Sequence, residues 1–287
     1  MPLLSVIIPT HKRPEILERC LQHLAAQTVA DDIEVIVIHD GQDDKTDRLM
    51  AKSSWQIPVY YESIPKSQQG VARNTGVQKA QSSTCLFIGD DIFLKSDACA
   101  HHLNAHGKVS TPSAVLGVTE WDPNIEITKV MEWLDESGWQ FGYRQIQQYA
   151  NSFIPPARQH LFSYTSHISV PTEVARRTPF IENITMYGWE DMEWGMRLRD
   201  IGVPLYFAHG ALAHHHHTMT MEDSLRRMET IGTSAVLLKR DVPDFDRVPT
   251  GLKLAAYEVL SLLPTMAGKH RKSFLKGMKN AQKEIRS

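Results

Sequence analysis

Apolar residues come in short, nearly unbroken runs near the N-terminus, and each run ends in polar or turn-forming residues. LLSVII (3–8), IEVIVI (33–38), IPVYYES (57–63) and TCLFIG (84–89) are such runs. Their length and continuity predict strands buried on both faces. Between them the period lengthens. Ile16, Leu17, Leu21, Leu24 and Ala25 share one face of a helix that Pro14 opens and that runs to about Thr28. Further helices are predicted from Asp43–Asp44 and over Gly70–Ala80. Strands alternating with helices at this spacing specify βαβ units, hence an α/β fold with a mostly parallel sheet.

Beyond residue 109 the pattern is less regular. Residues 111–121 read as a strand and turn, and ITKVMEWLDESG (127–138) as a helix ended by Gly138. Residues 139–160 are aromatic-rich with few periodic cues: an acceptor platform or a packed loop. Met186 to Gly202 is predicted as a turn at Gly188 opening into a helix, and a capped helix follows from Thr220. Residues 241–251, rich in Pro and Asp, read as a linker to two last helices. The final one carries Phe274, Met278, Ala281 and Ile285 as an apolar stripe among lysines.

Composition narrows the class. A chain of 287 residues, 42% apolar and 22% charged, buries a sizeable core as one large domain or two packed halves. Three cysteines without a CxxC pair argue for a reducing compartment, and so for a cytoplasmic protein. The start reads as a strand rather than a signal peptide, and no run approaches the roughly 18 apolar residues of a membrane span. The net charge of -2 is unevenly spread. From Gly251 onward eight Lys/Arg face two Glu, so the tail is near +6 and the body near -8. That asymmetry points the tail toward an anionic partner, such as the inner face of a membrane; the alternative is a stripe packed on the body with its lysines in water.

The candidate chemistry lies where strands end. Thr10, Asp40, Asp90 and Asp91 all sit at predicted carboxyl ends, where open α/β sheets bind ligands. There is no GxGxxG after the first strand and no GxxxxGK[ST], which removes the glycine-rich phosphate loops. Asp40 can accept hydrogen bonds from a base N–H or a ribose hydroxyl, and Asp90-Asp91 suits a divalent cation that already carries phosphate oxygens; plain turns are the simpler alternative for both. Glu190, Asp191 and Glu193 occupy the first turn of their helix, where the dipole favours an ionised carboxylate, as a general base requires and as capping alone would also explain. His214 to His217 follow a short strand. Alternation sends His215 and His217 to one face and His214 and His216 to the other, and imidazole is a ligand for Mn²⁺-class cations. Arg226 and Arg227 fit either a diphosphate or a solvated basic face.

Five blocks in order, SVIIPTHKRPEILERCLQHLAAQ, VIVIHDGQDD, GVARNTGV, LFIGDDIFL and FSYTSHISVP…YGWEDMEWGMRLRDIGVPLYF, resemble family 2 glycosyltransferases with the GT-A fold. The resemblance covers roughly residues 3 to 240. It implies a nucleotide-diphospho-sugar transferase fold: a mostly parallel central sheet flanked by helices, with a helical C-terminal extension. Residues 1–108 would form the nucleotide-sugar half and 109–240 the acceptor half, leaving 241–287 as linker and basic amphipathic tail. It also implies roles. Pro9 and Thr10 line the nucleotide, Asp40 contacts the base, Arg73 and Asn74 border the nucleotide, and Asp90 lies on the donor side. Asp91 is the direct ligand of a divalent cation, Mn²⁺ or Mg²⁺. Asp191 is the catalytic base, with Trp189, Glu190 and Glu193 at the acceptor. Relatives often add a histidine some 20–30 residues after the catalytic acid; His215 fits that distance, and His217 shares its face. The chain departs from the pattern at His39 and Gln42, which stand where an aspartate and a serine are common.

The expected activity is therefore inverting, metal-dependent transfer of a sugar from a nucleotide-sugar donor to a carbohydrate or lipid-linked acceptor, in polysaccharide or glycoconjugate synthesis. Nucleic acid is not an expected partner; an anionic membrane surface is, through the tail. A nucleotidyltransferase would open with a glycine-rich basic loop, which PTHKRPE lacks. A metallohydrolase built on the four histidines lacks HExxH. A catalytically silent sugar-nucleotide-binding or scaffold protein is the remaining alternative.

Overall fold

The computed structural model describes residues 2–52, 54–182 and 188–286; Met186 and Tyr187, where the predicted turn begins, lie outside them. The first half follows the hydrophobic pattern. Strand β1 (Leu4–Thr10) leads to helix α1 (Pro14–Ala25), β2 (Ile33–Asp40) to α2 (Asp44–Lys52), and β3 (Val59–Ile64) to α3 (Gln69–Lys79). β4 (Thr84–Ile88), short β5 (Ile92–Leu94) and α4 (Ala98–Lys108) come next. Leu4, Val6 and Ile8 pack on Leu17, Leu21 and Leu24 of α1, while Ile7 faces Ala72 and Val77 of α3 on the other side of the sheet. Both faces of β1 are covered, which is why its sequence has no polar alternation.

The second half contributes β6 (Ala114–Trp121), α5 (Lys129–Ser137), β7 (Ser152–Ile154), α6 (Pro156–Gln159), β8 (His167–Pro171), α7 (Thr172–Arg177), α8 (Glu190–Asp200) and β9 (Leu205–His215). One sheet runs through both halves in the order β3-β2-β1-β4-β8-β6-β9-β5, with β7 paired to β9. It is parallel from β3 to β4. Beyond β4 it is mixed, since β8 runs antiparallel to both β4 and β6 while β6 and β9 are parallel. The irregular stretch after α5 is pinned by β7 and by short 3-10 turns at 143–145, 147–149 and 160–162.

Three helices form a layer beside the sheet: α9 (Met221–Asp241), α10 (Gly251–Ser261) and α11 (Met266–Arg286). α9 opens with a reciprocal capping box between Thr220 and Asp223. Most of the stripe of α11 is covered by protein. Phe274, Met278 and Ala281 are buried, the first two in one apolar cluster with Ala235 and Leu238 of α9, because burying an apolar face against a neighbouring helix removes it from water. Of the two expectations for this stripe, packing on the body is the one seen for Phe274, Met278 and Ala281, while Ile285 stays exposed. Among the described residues no helix is long and apolar enough to cross a membrane.

α9 and α11 touch backbone to backbone. A Cβ on Gly232 would stand 2.1 Å from the Phe274 carbonyl oxygen, and one on Gly277 would stand 1.9 Å from that of Glu229. Both distances are inside any allowed contact, so a side chain at either position forces the helices apart. Gly277→Ala is expected to lower the stability by about 1–3 kcal/mol, the usual cost of overpacking, read as a shifted urea midpoint with unchanged slope. Gly107→Ala is the control, since nothing lies within 4 Å of its Cβ; equal midpoints for the two variants would disprove the close-packing argument.

Candidate active site

The carboxyl ends of β1, β2 and β4, the start of α8 and the end of β9 surround one cleft of about 1000 Å³. Pro9, Thr10, Asp40, Arg73, Asp90, Asp91, Trp189, Glu190, Asp191, His215 and His217 all line it. Two residues expected there do not. Asn74 braces the chain at 180–182: its amide donates to the Phe180 carbonyl and to Glu182, and its oxygen accepts the Phe180 N–H. Glu193 is buried, and both its carboxylate oxygens are held by Arg197 at 2.6 and 2.9 Å. At 3.6 residues per turn, two residues beyond Asp191 is about 200° around the helix, so Glu193 points away when Asp191 faces the cleft. The acceptor role for Glu193 and the nucleotide role for Asn74 are not supported by this placement.

On the donor side, Asp40 accepts from Lys66 Nζ at 2.5 Å, from Ser67 N at 2.5 Å and from Ser67 Oγ at 3.0 Å. Burial works against its charge, yet Lys66 and Ser67 hold the carboxyl below its ordinary range. Three of roughly four acceptor sites are thereby used. His39, one residue back, is buried on the opposite side and bonds the Tyr61 hydroxyl at 3.0 Å, so this departure from the family pattern lies outside the cleft lining. Arg73 lines the cleft with its guanidinium over the Phe180 ring.

The acidic pair follows β4. Thr10 Oγ1 donates to Asp90 at 2.8 Å, and Arg13 reaches both carboxylates, pairing with Asp90 and lying 2.9 Å from Asp91 Oδ2. Burial pushes Asp90 up to about 6. Asp91 is driven the other way: burial opposes its charge, but His215 and then Arg13 hold it well below the usual carboxylate range. Arg13, unmarked by periodicity or composition, is a cleft residue that the sequence reading missed; so is Lys66.

The histidines arrive on β9. β5 pairs antiparallel to β9 with Ile92 opposite His215, and the His216 N–H donates to the Asp91 carbonyl at 2.8 Å. This sets His215 Nε2 and His217 Nδ1 each 3.7 Å from Asp91 Oδ2. Trp121, directly across the β6 ladder, stacks on the His215 ring at 5.1 Å and Phe141 meets it edge-on. His214 and His216 face the other way, to buried Asp122, which His216 Nδ1 approaches to 2.6 Å. Asp91, His215 and His217 each offer a ligand atom within 4.8 Å of the others. Ligands around one ion at bond lengths of about 2.0–2.2 Å stand roughly 3–4 Å apart, so this trio fits a cation.

On the acceptor side, Gly188 (φ 135) makes the turn into α8 in a backbone region that other residues rarely adopt. Glu190 accepts the Gly188 N–H at 2.9 Å and Asp191 accepts the Met192 N–H at 2.8 Å. Burial, then the neighbouring Glu190, raises Asp191 to about 7, which departs from the expectation that the helix start keeps it fully ionised. The Trp189 indole donates to the Ile231 carbonyl at 3.0 Å. Trp139, Gln140 and Phe141 from the aromatic loop also line the cleft, held by the Tyr164 hydroxyl, which accepts the Gly142 N–H. Arg226 and Arg227 lie on the same wall.

The family model for glycosyl transferase family 2 matches residues 5–169. Validoxylamine A glucosyltransferase of Streptomyces hygroscopicus subsp. jinggangensis is 29% identical over 235 residues, covering 71% of this chain and 53% of that protein. The chain thus spans about half the length of these curated relatives. Among solved structures, the mannosyltransferase PcManGT from Pyrobaculum calidifontis, in complex with GDP-Man and Mn²⁺, superposes with a TM-score of 0.61 at 16% identity, over 98% of this chain and 76% of that one. S. aureus TarS 1–349 in complex with UDP-GlcNAc gives 0.53 at 15% identity, over 99% and 91%. With a matched family model over more than half its length and transferases of the same fold as structural neighbours, the chain belongs to glycosyl transferase family 2 and has the GT-A fold.

Proposed function

We propose that the protein transfers a sugar from a nucleotide-sugar donor to an acceptor hydroxyl with inversion at the anomeric carbon, in the assembly of a polysaccharide or glycoconjugate. One observation carries this reading: a cation-type trio (Asp91, His215, His217) and a separate carboxylate of raised pKa (Asp191) line the same cleft from different elements. Residues 1–108 supply the donor side and residues 109–240 most of the acceptor side. Pro9, Thr10, Asp40 and Arg73 receive the nucleotide, with Asp90 tied to Thr10. Asp91, His215 and His217 would hold a divalent cation, and two imidazoles favour Mn²⁺ over the oxygen-loving Mg²⁺. When bound, that ion supplies Lewis-acid neutralisation of the departing diphosphate. Its presence beside GDP-Man in a structural neighbour supports the assignment.

Asp191 takes the proton from the acceptor hydroxyl as that oxygen attacks. Trp189 and Glu190 border the acceptor. A carboxyl near 7 is well matched to this work, since a general base is most effective when its pKa lies near the working pH. Direct attack from the face opposite the leaving group requires no enzyme nucleophile and inverts the centre. The acceptor is a carbohydrate or a lipid-linked glycan.

Two variants test the division of roles. Asp191→Asn should cut turnover by about 10²–10⁴-fold while leaving Mn²⁺-dependent thermal stabilisation by the matching nucleotide sugar intact. The base acts only when deprotonated, so wild-type kcat/KM should fall about tenfold per pH unit below about 7 and level off above it. Near-normal turnover in Asp191→Asn would remove Asp191 from the mechanism. Asp91→Ala, in contrast, should weaken metal-dependent nucleotide binding by roughly 10–100-fold or more, measured by titration calorimetry with and without Mn²⁺. Unchanged affinity there would place the cation elsewhere.

A further inference from the structure

α10 has no buried residue. Leu254 and Tyr257 turn inward to the α9–α11 cluster, while the opposite side is aliphatic and open. Leu252 is 91% exposed, Val259 66%, Leu262 82% and Leu263 48%, and Ala255 and Ala256 lie exposed between them. Positions 252, 255, 259 and 262 recur at helical spacing, so they form one stripe along the axis. Scattered exposed leucines need no explanation, but a contiguous stripe marks a contact surface. The segment LKLAAYEVLSLLP is too short to span a bilayer.

The surroundings select the partner. Residues 251–286 carry eight Lys/Arg and two Glu. Lys253 lies on α10 itself. Lys269 and Lys272 follow Gly268, which packs against the Leu260 and Leu263 carbonyls at the end of the stripe. Lys279 reaches Glu258 and the Arg271 guanidinium lies over Tyr257. Protein interfaces draw their energy from aromatic and arginine anchors seated in shaped pockets; this stripe is aliphatic throughout. A symmetric contact between two copies would also set one cationic surface against another. A fluid hydrocarbon boundary needs no shape complement, and anionic headgroups neutralise the lysines.

We propose that α10 and the Leu262–Leu263 turn dock the protein on an anionic phospholipid bilayer, with the flanking lysines on lipid phosphates. Leu254 and Tyr257 pack on the same apolar cluster as Trp189, Met192 and Ile231, which line the cleft. Docking would bring the enzyme to the surface that holds a lipid-anchored acceptor; this last step rests on the transferase reading, the docking itself does not.

The test is sedimentation of the full chain with vesicles, without donor or acceptor, so that its outcome is independent of catalysis. Vesicles of mixed phosphatidylcholine and phosphatidylglycerol should retain the protein, pure phosphatidylcholine should retain it about tenfold less, and added salt should release it. The double variant Leu252→Glu/Leu262→Glu should lose about tenfold or more in binding with an unchanged melting temperature, since both side chains are solvent-exposed. Lys269→Glu/Lys272→Glu should lose the preference for anionic lipid. A wild-type protein that stays in the supernatant with anionic vesicles, or a leucine double variant that binds as well as wild type, overturns the proposal. So does a dimer in light scattering that the leucine substitutions dissociate, since a second copy would then cover the stripe.

Discussion

The site depends on the pairing of β5 with β9. β5 is three residues long and follows Asp90-Asp91 directly, so the strand that fixes the acids is also the edge on which β9 registers. Ile92 opposite His215, together with the His216 N–H on the Asp91 carbonyl, decides which histidine face meets Asp91. Side chains alternate with a period of two, so a slip of one residue would offer His214 and His216 to Asp91 and turn His215 and His217 to the other side. The other face has its own occupant. Asp122, at the end of β6, takes His216 and lies near His214, which makes the slipped register costly on both sides of the sheet. Trp121, stacked on His215 through the β6 ladder, fixes the ring plane as well as the strand.

Electrostatics within the cleft follow from burial more than from backbone dipoles. A helix N-terminus stabilises a carboxylate by about 0.3–1 kcal/mol, and Asp191 has that benefit, with its own oxygen on the Met192 N–H. Desolvation and Glu190 nevertheless carry it up to about 7. At the opposite wall two adjacent aspartates would repel each other if left alone. Arg13 spans them, and the pair divides: Asp90 rises under burial while Asp91, beside His215, falls. The result is one strongly acidic carboxyl beside His215 and His217 and one weakly acidic carboxyl at the start of α8. Opposite wall environments produce these two characters from the same side-chain type.

The parts of this arrangement that local sequence encodes were legible in it. Continuous apolar runs marked β1 to β4, and their polar carboxyl ends carried Thr10, Asp40, Asp90 and Asp91. Alternation divided the four histidines correctly into two faces, although nothing local said which face would meet Asp91, since that depends on a ladder between residues more than a hundred positions apart. Helical phase distinguishes Asp191 from Glu193, and a stricter use of the 3.6-residue period would have turned Glu193 toward Arg197 at the outset. Asn74 and Arg13 were illegible for the same reason as the ladder: their partners, the chain at 180–182 and the acidic pair, are brought near only by tertiary folding.

In the helical layer the amphipathic pattern of α11 left two partners open, and tertiary packing took up one of them. The stripe on α11 is covered by α9 at Phe274 and Met278, where Gly232 and Gly277 let the two backbones approach closely, while Ile285 stays exposed. On α10, Leu254 and Tyr257 find cover and the rest of its aliphatic surface does not. The helix with the cleaner amphipathic pattern packs most of its stripe on protein, and the more uniformly apolar one faces outward. A uniformly apolar helix normally belongs in a core. One that stays at the surface has apolar area to bury elsewhere, and only Leu254 and Tyr257 of α10 find cover on the cluster that Trp189, Met192 and Ile231 also pack against.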